Sequence, residues 1–234
     1  MEVITVLTGG AGFEDAAEYL PYVSALRRDR IARKRSGSDK LLSLTAGLLI
    51  SLEVTRRTGI PRGSIRYVHG AFGKPYLDGS TLQFSLSHTK GAVCAVFSDG
   101  ESGEVGVDIE RRDRRVSERI RERILSENEK LLVSSTEDLL RLWVQKEAFL
   151  KRLGTGIADD LRGADTTLMQ DTEALCCGEY LVGVSGREAG AAQVKFKVQT
   201  LAVAKKLMNE YEELEYYREE FQNQNRVDNI IGSD

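Results

Sequence analysis

Two rhythms of hydrophobic and polar residues organise this chain. Val3 to Leu7 alternates with the period of a strand, and Ile65 to Val68, Leu82 to Leu86, Val105 to Glu110, Tyr180 to Val184 and Val194 to Val203 predict further strands. Ala92 to Phe97 is apolar almost throughout, which predicts a buried strand. Elsewhere helical spacing takes over. Tyr19 to Val54 reads as helical and basic, and its apolar part, Ser43 to Val54, is carried by Leu44, Leu48, Leu49 and Leu52. Ser134 with Glu137 has the spacing of a capping box and would open a helix from Thr136 to Leu153, stopped by Gly154. Val203 to Phe221 places Leu207, Tyr211, Leu214, Tyr217 and Phe221 at helical spacing, predicting an amphipathic helix packed on the body or on a partner before a polar tail.

The turns add little chemistry of their own. Gly9-Gly10-Ala11-Gly12 follows the first strand, but the third glycine of a dinucleotide-binding loop would fall at Asp15, whose carboxylate would repel a pyrophosphate. A plain turn is the better reading. Gly73-Lys74-Pro75 predicts a tight connection in which proline fixes the backbone beside a lysine. At 234 residues the chain can bury a sizeable core, and its net charge of −3 argues against a nucleic-acid protein despite two arginine-rich stretches. The three cysteines are an odd number without C-x-x-C spacing, which favours neither a disulfide framework nor a zinc site. With no leader-like or membrane-spanning segment in the pattern, a soluble cytoplasmic protein, free of membrane, is expected.

Charged residues carry the chemistry. In the strand Gly106-Val107-Asp108-Ile109-Glu110, Asp108 and Glu110 share one face while Val107 and Ile109 share the other. In the helix containing Trp143-Val144-Gln145-Lys146-Glu147-Ala148-Phe149-Leu150-Lys151, Glu147 and Lys151 lie one turn apart on one face. Each pair alone is ordinary surface chemistry. Brought together they would set three hard oxygen ligands and an ammonium around one point, a magnesium–phosphate site.

These two segments resemble the signature pair of the phosphopantetheinyl transferases. Gly73-Lys74-Pro75, Phe84-Ser85-Leu86-Ser87-His88-Thr89 and Leu153-Gly154-Thr155-Gly156-Ile157 resemble further elements of that family, in the same order. The resemblance covers residues 20 to 204 and fits the family's longer, surfactin-synthetase-activating type. It implies an α+β fold of two similar α/β halves in one pseudo-dimeric chain, with the active site at their interface. The expected division is 1–110, with the coenzyme A grip and first metal motif, 111–204, with the catalytic helix 136–153, and 205–234, the C-terminal helix and tail.

The implied reaction moves phosphopantetheine from coenzyme A to a serine of an apo acyl, peptidyl or aryl carrier protein, releasing adenosine 3',5'-bisphosphate. Asp108, Glu110 and Glu147 would hold Mg2+, with Mn2+ as the alternative. Glu147 would also deprotonate the serine, and Lys151 would stabilise the leaving group. Lys74, Ser87, His88, Arg30, Lys34 and Ser43 would grip coenzyme A. Leu42 stands where the family often carries an arginine. Glu129, in an element resembling F-S-x-x-E, would support the site or face the carrier, and Lys146 would support it from behind. Arg112, Arg115, Arg119 and Ile120 would dock the acidic, helical carrier by charge. A monomer is expected. The competing reading from another class is a non-catalytic, regulatory coenzyme A-binding protein.

Overall fold

The structure is a computed structural model that describes residues 1–156, 160–187, 189, 195–202, 205, 206 and 209. It has a mixed α+β architecture in which two sheets pack face to face, each backed by one long helix. The first sheet contains β1 (Glu2–Leu7), β4 (Gln83–Thr89), β5 (Ala92–Ser98) and β9 (Lys195–Thr200), in the order β4-β5-β1-β9. Its neighbours are antiparallel except β1 and β9, which run parallel. The second contains β6 (Gly106–Arg111), β7 (Thr172–Cys177) and β8 (Tyr180–Ser185), antiparallel in the order β6-β8-β7. A separate hairpin joins β2 (Tyr67–His69) to β3 (Pro75–Leu77).

The alternation of side chains on β5 explains its apolar run. Val93, Ala95 and Phe97 meet α2 (Gly37–Thr58) through Leu44, Leu48 and Leu52, whereas Ala92, Cys94 and Val96 meet Val107, Ile109, Val182 and Val184 of the second sheet. A strand covered on both faces has no polar side to show. The helix α5 (Thr136–Leu153) covers the outer face of the second sheet, with Leu140 and Val144 on Leu181. The short helices α3 (Glu118–Ile124) and α4 (Glu127–Lys130) close a smaller cluster around Ile124, Leu125, Val133, Leu139 and Leu161.

The basic N-terminal stretch is not one helix. A 3-10 segment (Glu14–Tyr22) is followed by α1 (Ala25–Ala32) and then α2, because Ser24 and Ser36 each cap a new start by accepting from Arg27 N and Asp39 N. The start of α5 falls where the spacing placed it, but its capping box is Ser135 with Asp138. Glu137 instead pairs with Arg112 and Arg141. The strand expected within Val194 to Val203 belongs to the first half's sheet, beside β1, and not to the second half's. β6, at the end of the expected first half, likewise hydrogen-bonds to β8 of the second. The expected helix from Val203 to Phe221 lies outside the described residues apart from positions 205, 206 and 209, where Lys205 Nζ donates to the Asp15 carbonyl and Asn209 accepts from Tyr19. Among the described residues, no helix is long and apolar enough to cross a membrane.

Candidate active site

Three elements converge where the sheets meet. Val107 and Ile109 of β6 are buried against the first sheet, so Asp108 and Glu110 must face the other way, toward α5. Two glycines let α5 come close enough to meet them. A Cβ on Gly106 would lie 1.9 Å from the Ala148 carbonyl oxygen, and one on Gly183 1.9 Å from that of Val144. The helix backbone therefore rests directly on β6 and β8 at Ala148 and Val144, which flank Glu147 along the helix.

At this junction Lys151 Nζ donates to Asp108 Oδ1 at 2.6 Å and to Ser87 Oγ at 2.9 Å, and Ser87 Oγ donates to the same Asp108 oxygen at 2.8 Å. Side chains of β4 bridge to β6 along its length: Ser85 Oγ accepts from Val107 N, and Thr89 Oγ1 donates to Glu110 Oε2 at 3.0 Å. Glu110 also pairs with Arg114, whose guanidinium lies 4.3 Å from the Trp143 ring centroid. Glu147 differs from its neighbours: it is buried at 4 % exposure and makes no hydrogen bond among the described residues. Burial, followed by repulsion from Asp108, pushes its pKa up to about 7, against the pull of Lys151 and Arg114.

Of the three expected metal ligands, Asp108 and Glu147 are near enough to repel one another, while Glu110 is held by Arg114 and Thr89. Among the described residues no three such side chains are already gathered as a metal-binding set. The donor chemistry nevertheless suits a hard cation: two buried carboxyls side by side, one without a hydrogen-bond donor, are relieved by a divalent ion with oxygen ligands.

A cavity of about 530 Å³ lies between α1, α2 and the β2–β3 hairpin. Arg27, Arg28, Arg30, Arg62, Arg66 and Tyr67 give it a cationic, partly aromatic wall. Burial, then repulsion from Arg30, lowers the pKa of Arg27, and burial pushes the Tyr67 hydroxyl up to about 12. Arg30, one of the expected coenzyme A contacts, lines this cavity. Ser43 is buried in α2 one turn before Gly47, which lines the cavity. Lys34 sits outside the lining but near His88, whose imidazole is held below its ordinary value by desolvation, then by Lys34, Lys151 and Arg27. Arg62, in a 3-10 turn, and Arg66 and Tyr67, at the entry to β2, escaped the sequence reading because no chemical motif marks them. Lys74 is not among the residues lining this cavity, and its ammonium donates to the backbone carbonyls of Val105 and Arg152.

Glu129 and Lys146 form an ion pair of 2.5 Å in which neither side chain is exposed. Lys146 also donates to the carbonyls of Ile124 and Leu161, and Glu129 accepts from Ser126 N and from Thr166 N and Oγ1. This burial rules out the carrier-facing alternative for Glu129. The pair ties α5 to α4 and the loop beyond it. Among the expected docking residues, Arg112 is engaged by Glu137 and Ile120 packs toward the Ile124 cluster. Arg115 and Arg119 are exposed, with no ion-pair partner among the described residues.

Comparison with known proteins agrees with this geometry. The profile of the 4'-phosphopantetheinyl transferase superfamily matches residues 104–200, the stretch holding β6, α5 and the second sheet. The chain is 28% identical over 165 residues to the 4'-phosphopantetheinyl transferase ffp of Bacillus subtilis, covering 68% of this chain and 72% of that one. It is 30% identical over 145 residues to the 4'-phosphopantetheinyl transferase gsp of Aneurinibacillus migulanus, covering 58% and 57%. The L-aminoadipate-semialdehyde dehydrogenase-phosphopantetheinyl transferase of Candida glabrata is 27% identical over 167 residues, covering 67% and 63%. The stretch that carries β6 and α5 is thus the one that resembles a transferase family. More particularly, the chain is similar to the 4'-phosphopantetheinyl transferases, and its residues 104–200 match the model of that superfamily.

Proposed function

We propose that this protein transfers the phosphopantetheine group of coenzyme A to a serine hydroxyl of an apo carrier protein, releasing adenosine 3',5'-bisphosphate. The observation that carries this reading is the convergence of Ser87, Asp108, Glu147 and Lys151 from β4, β6 and α5 beside a cationic cavity. Phosphoryl transfer rests mainly on positioning and charge neutralisation. The cavity's arginines and Tyr67 receive the nucleotide end of the substrate, with His88 and Lys34 at its edge. Ser87 and Lys151 meet the pyrophosphate. Glu147, ionising near neutrality, accepts the proton of the attacking serine. The Lys151 ammonium neutralises charge as the bond from the β-phosphorus to the leaving oxygen breaks.

Asp108 and Glu147, with Glu110 once released from Arg114, would hold Mg2+ or Mn2+. When bound, such an ion supplies Lewis-acid charge neutralisation on the pyrophosphate. The resemblance between the two helix-backed sheets supports a pseudo-dimeric chain with its site between the halves, acting as a monomer on an acidic, helical carrier.

The test is mass spectrometry of several apo acyl and peptidyl carrier proteins after incubation with this protein, coenzyme A and magnesium. A gain of one phosphopantetheine, lost with a chelator, is the expected outcome. No gain on any carrier, with coenzyme A still bound, would replace the transferase by a binding protein.

A further inference from the structure

The β2–β3 hairpin meets α5 away from the carboxylates, and Lys74 spans the junction. Its Nζ donates to the Arg152 carbonyl at 2.7 Å and to the Val105 carbonyl at 3.3 Å. Arg152 lies in the last turn of α5, where carbonyls lack partners within the helix and a cation is favoured by the helix dipole. Val105 immediately precedes β6. The two elements that supply the site's carboxylates are thus joined through one ammonium. The stem of Lys74 is also packed: a Cβ on Gly154 would come within 3.3 Å of both Lys74 Cδ and the Tyr76 hydroxyl oxygen. That hydroxyl donates to Glu104 at 3.1 Å, a second tie from the hairpin to the start of β6. On its other side the hairpin walls the cationic cavity through His69, Gly73 and Pro75.

We infer that Lys74 is a positioning residue that fixes the end of α5 and the start of β6 against the hairpin walling the nucleotide cavity, so that Asp108, Glu147 and Lys151 keep their mutual geometry. The inference rests on the transferase reading and deepens it. It differs from a direct phosphate grip, which would leave the carbonyls of Arg152 and Val105 without this donor. The ammonium reaches β6 and α5 through their backbones, so its loss acts on the step that needs their alignment and spares substrate binding.

The test compares Lys74→Met and Lys74→Arg in the full chain. Three quantities are read: the coenzyme A dissociation constant by calorimetry, kcat and KM with an apo carrier, and amide hydrogen exchange across 150–156 without substrate. Lys74→Met is expected to keep the dissociation constant within about twofold, to lower kcat roughly ten- to hundredfold, and to speed exchange at the end of α5. Lys74→Arg is expected to restore much of kcat and protection, since a guanidinium can donate to both carbonyls. A dissociation constant raised about tenfold or more, with kcat and exchange as in the parent, would overturn the inference in favour of a phosphate grip. No change in any of the three would overturn it too. Should Lys74→Met fail to fold, Lys74→Gln carries the same comparison. If the parent modifies no carrier, the transferase reading fails, and exchange at the end of α5 alone decides whether Lys74 holds the helix.

Discussion

Glu147 and Lys151 stand one turn apart on α5, yet among the described residues one has no hydrogen-bond donor and the other is held by Asp108 and Ser87. This asymmetry assigns them different work. On the proposed mechanism, replacing Lys151 by Ala removes the ammonium set against the pyrophosphate and should lower kcat by roughly 10²–10³-fold. Ser87→Ala removes a single bridging hydroxyl and should cost about tenfold. Initial rates of carrier modification read both effects. A Lys151→Ala protein with parental kcat would remove this residue from the chemistry. The buried pair of Lys146 and Glu129 belongs to the same scale but to stability. Burial alone would raise the Glu129 pKa, but hydrogen bonds from Lys146, Thr166 and Ser126 outweigh it and hold the carboxyl below its ordinary value. The stabilisation is therefore complete above the unfolded carboxyl pKa and is lost as pH falls through the folded one. Chemical denaturation from neutral to acid pH should show this loss, and Glu129→Gln should flatten it. Lys146→Met leaves a buried carboxylate without its cation and should cost about 3–5 kcal/mol. A loss below about 1 kcal/mol, the range of a surface pair, would sink that assignment.

At the scale of elements, the site depends on how closely α5 approaches the second sheet. Gly183 faces Val144 directly across from Asp108 in the β6–β8 register. Gly183→Ala places a methyl group where the helix backbone already is. It should destabilise by about 1–3 kcal/mol or more, as overpacking does, and should reduce activity beyond what the unfolded fraction explains. Thermal unfolding together with rates measured well below the midpoint would check this. Parental stability and rate would mean that α5 can ride away from the sheet without consequence.

At the scale of the whole molecule, a net charge of −3 coexists with a locally basic rim after β6. Most of that rim is already paired within the chain, through Arg111 with Asp113 and Glu179, Arg112 with Glu137 and Arg114 with Glu110. Arg115 and Arg119 remain exposed, where the proposed reading docks the carrier. Reversing both to Glu should raise KM for the carrier several-fold at low salt, less at high salt, and leave KM for coenzyme A unchanged. Equal effects on both substrates would show that these arginines act on the site and not on docking.

The sequence by itself determined most strands from their pattern, β3 and β7 excepted, the limits of α5 from its spacing and terminal glycine, and the face shared by Asp108 and Glu110. Those properties follow from local geometry, where side-chain direction is set by the backbone of the same element. It also carried the ordered motifs that announce the family. Only the tertiary structure decided the rest. Strand partners depend on contacts between distant segments, so β9 beside β1 and β6 beside β8 were invisible to periodicity. Hydrogen-bond choice is equally non-local: Lys146, expected behind the site, has its ammonium fully buried on Glu129, and the ammonium of Lys74 donates to two carbonyls from different elements. A lysine's charge is written in the chain, but the acceptor that it reaches is fixed only when the elements pack.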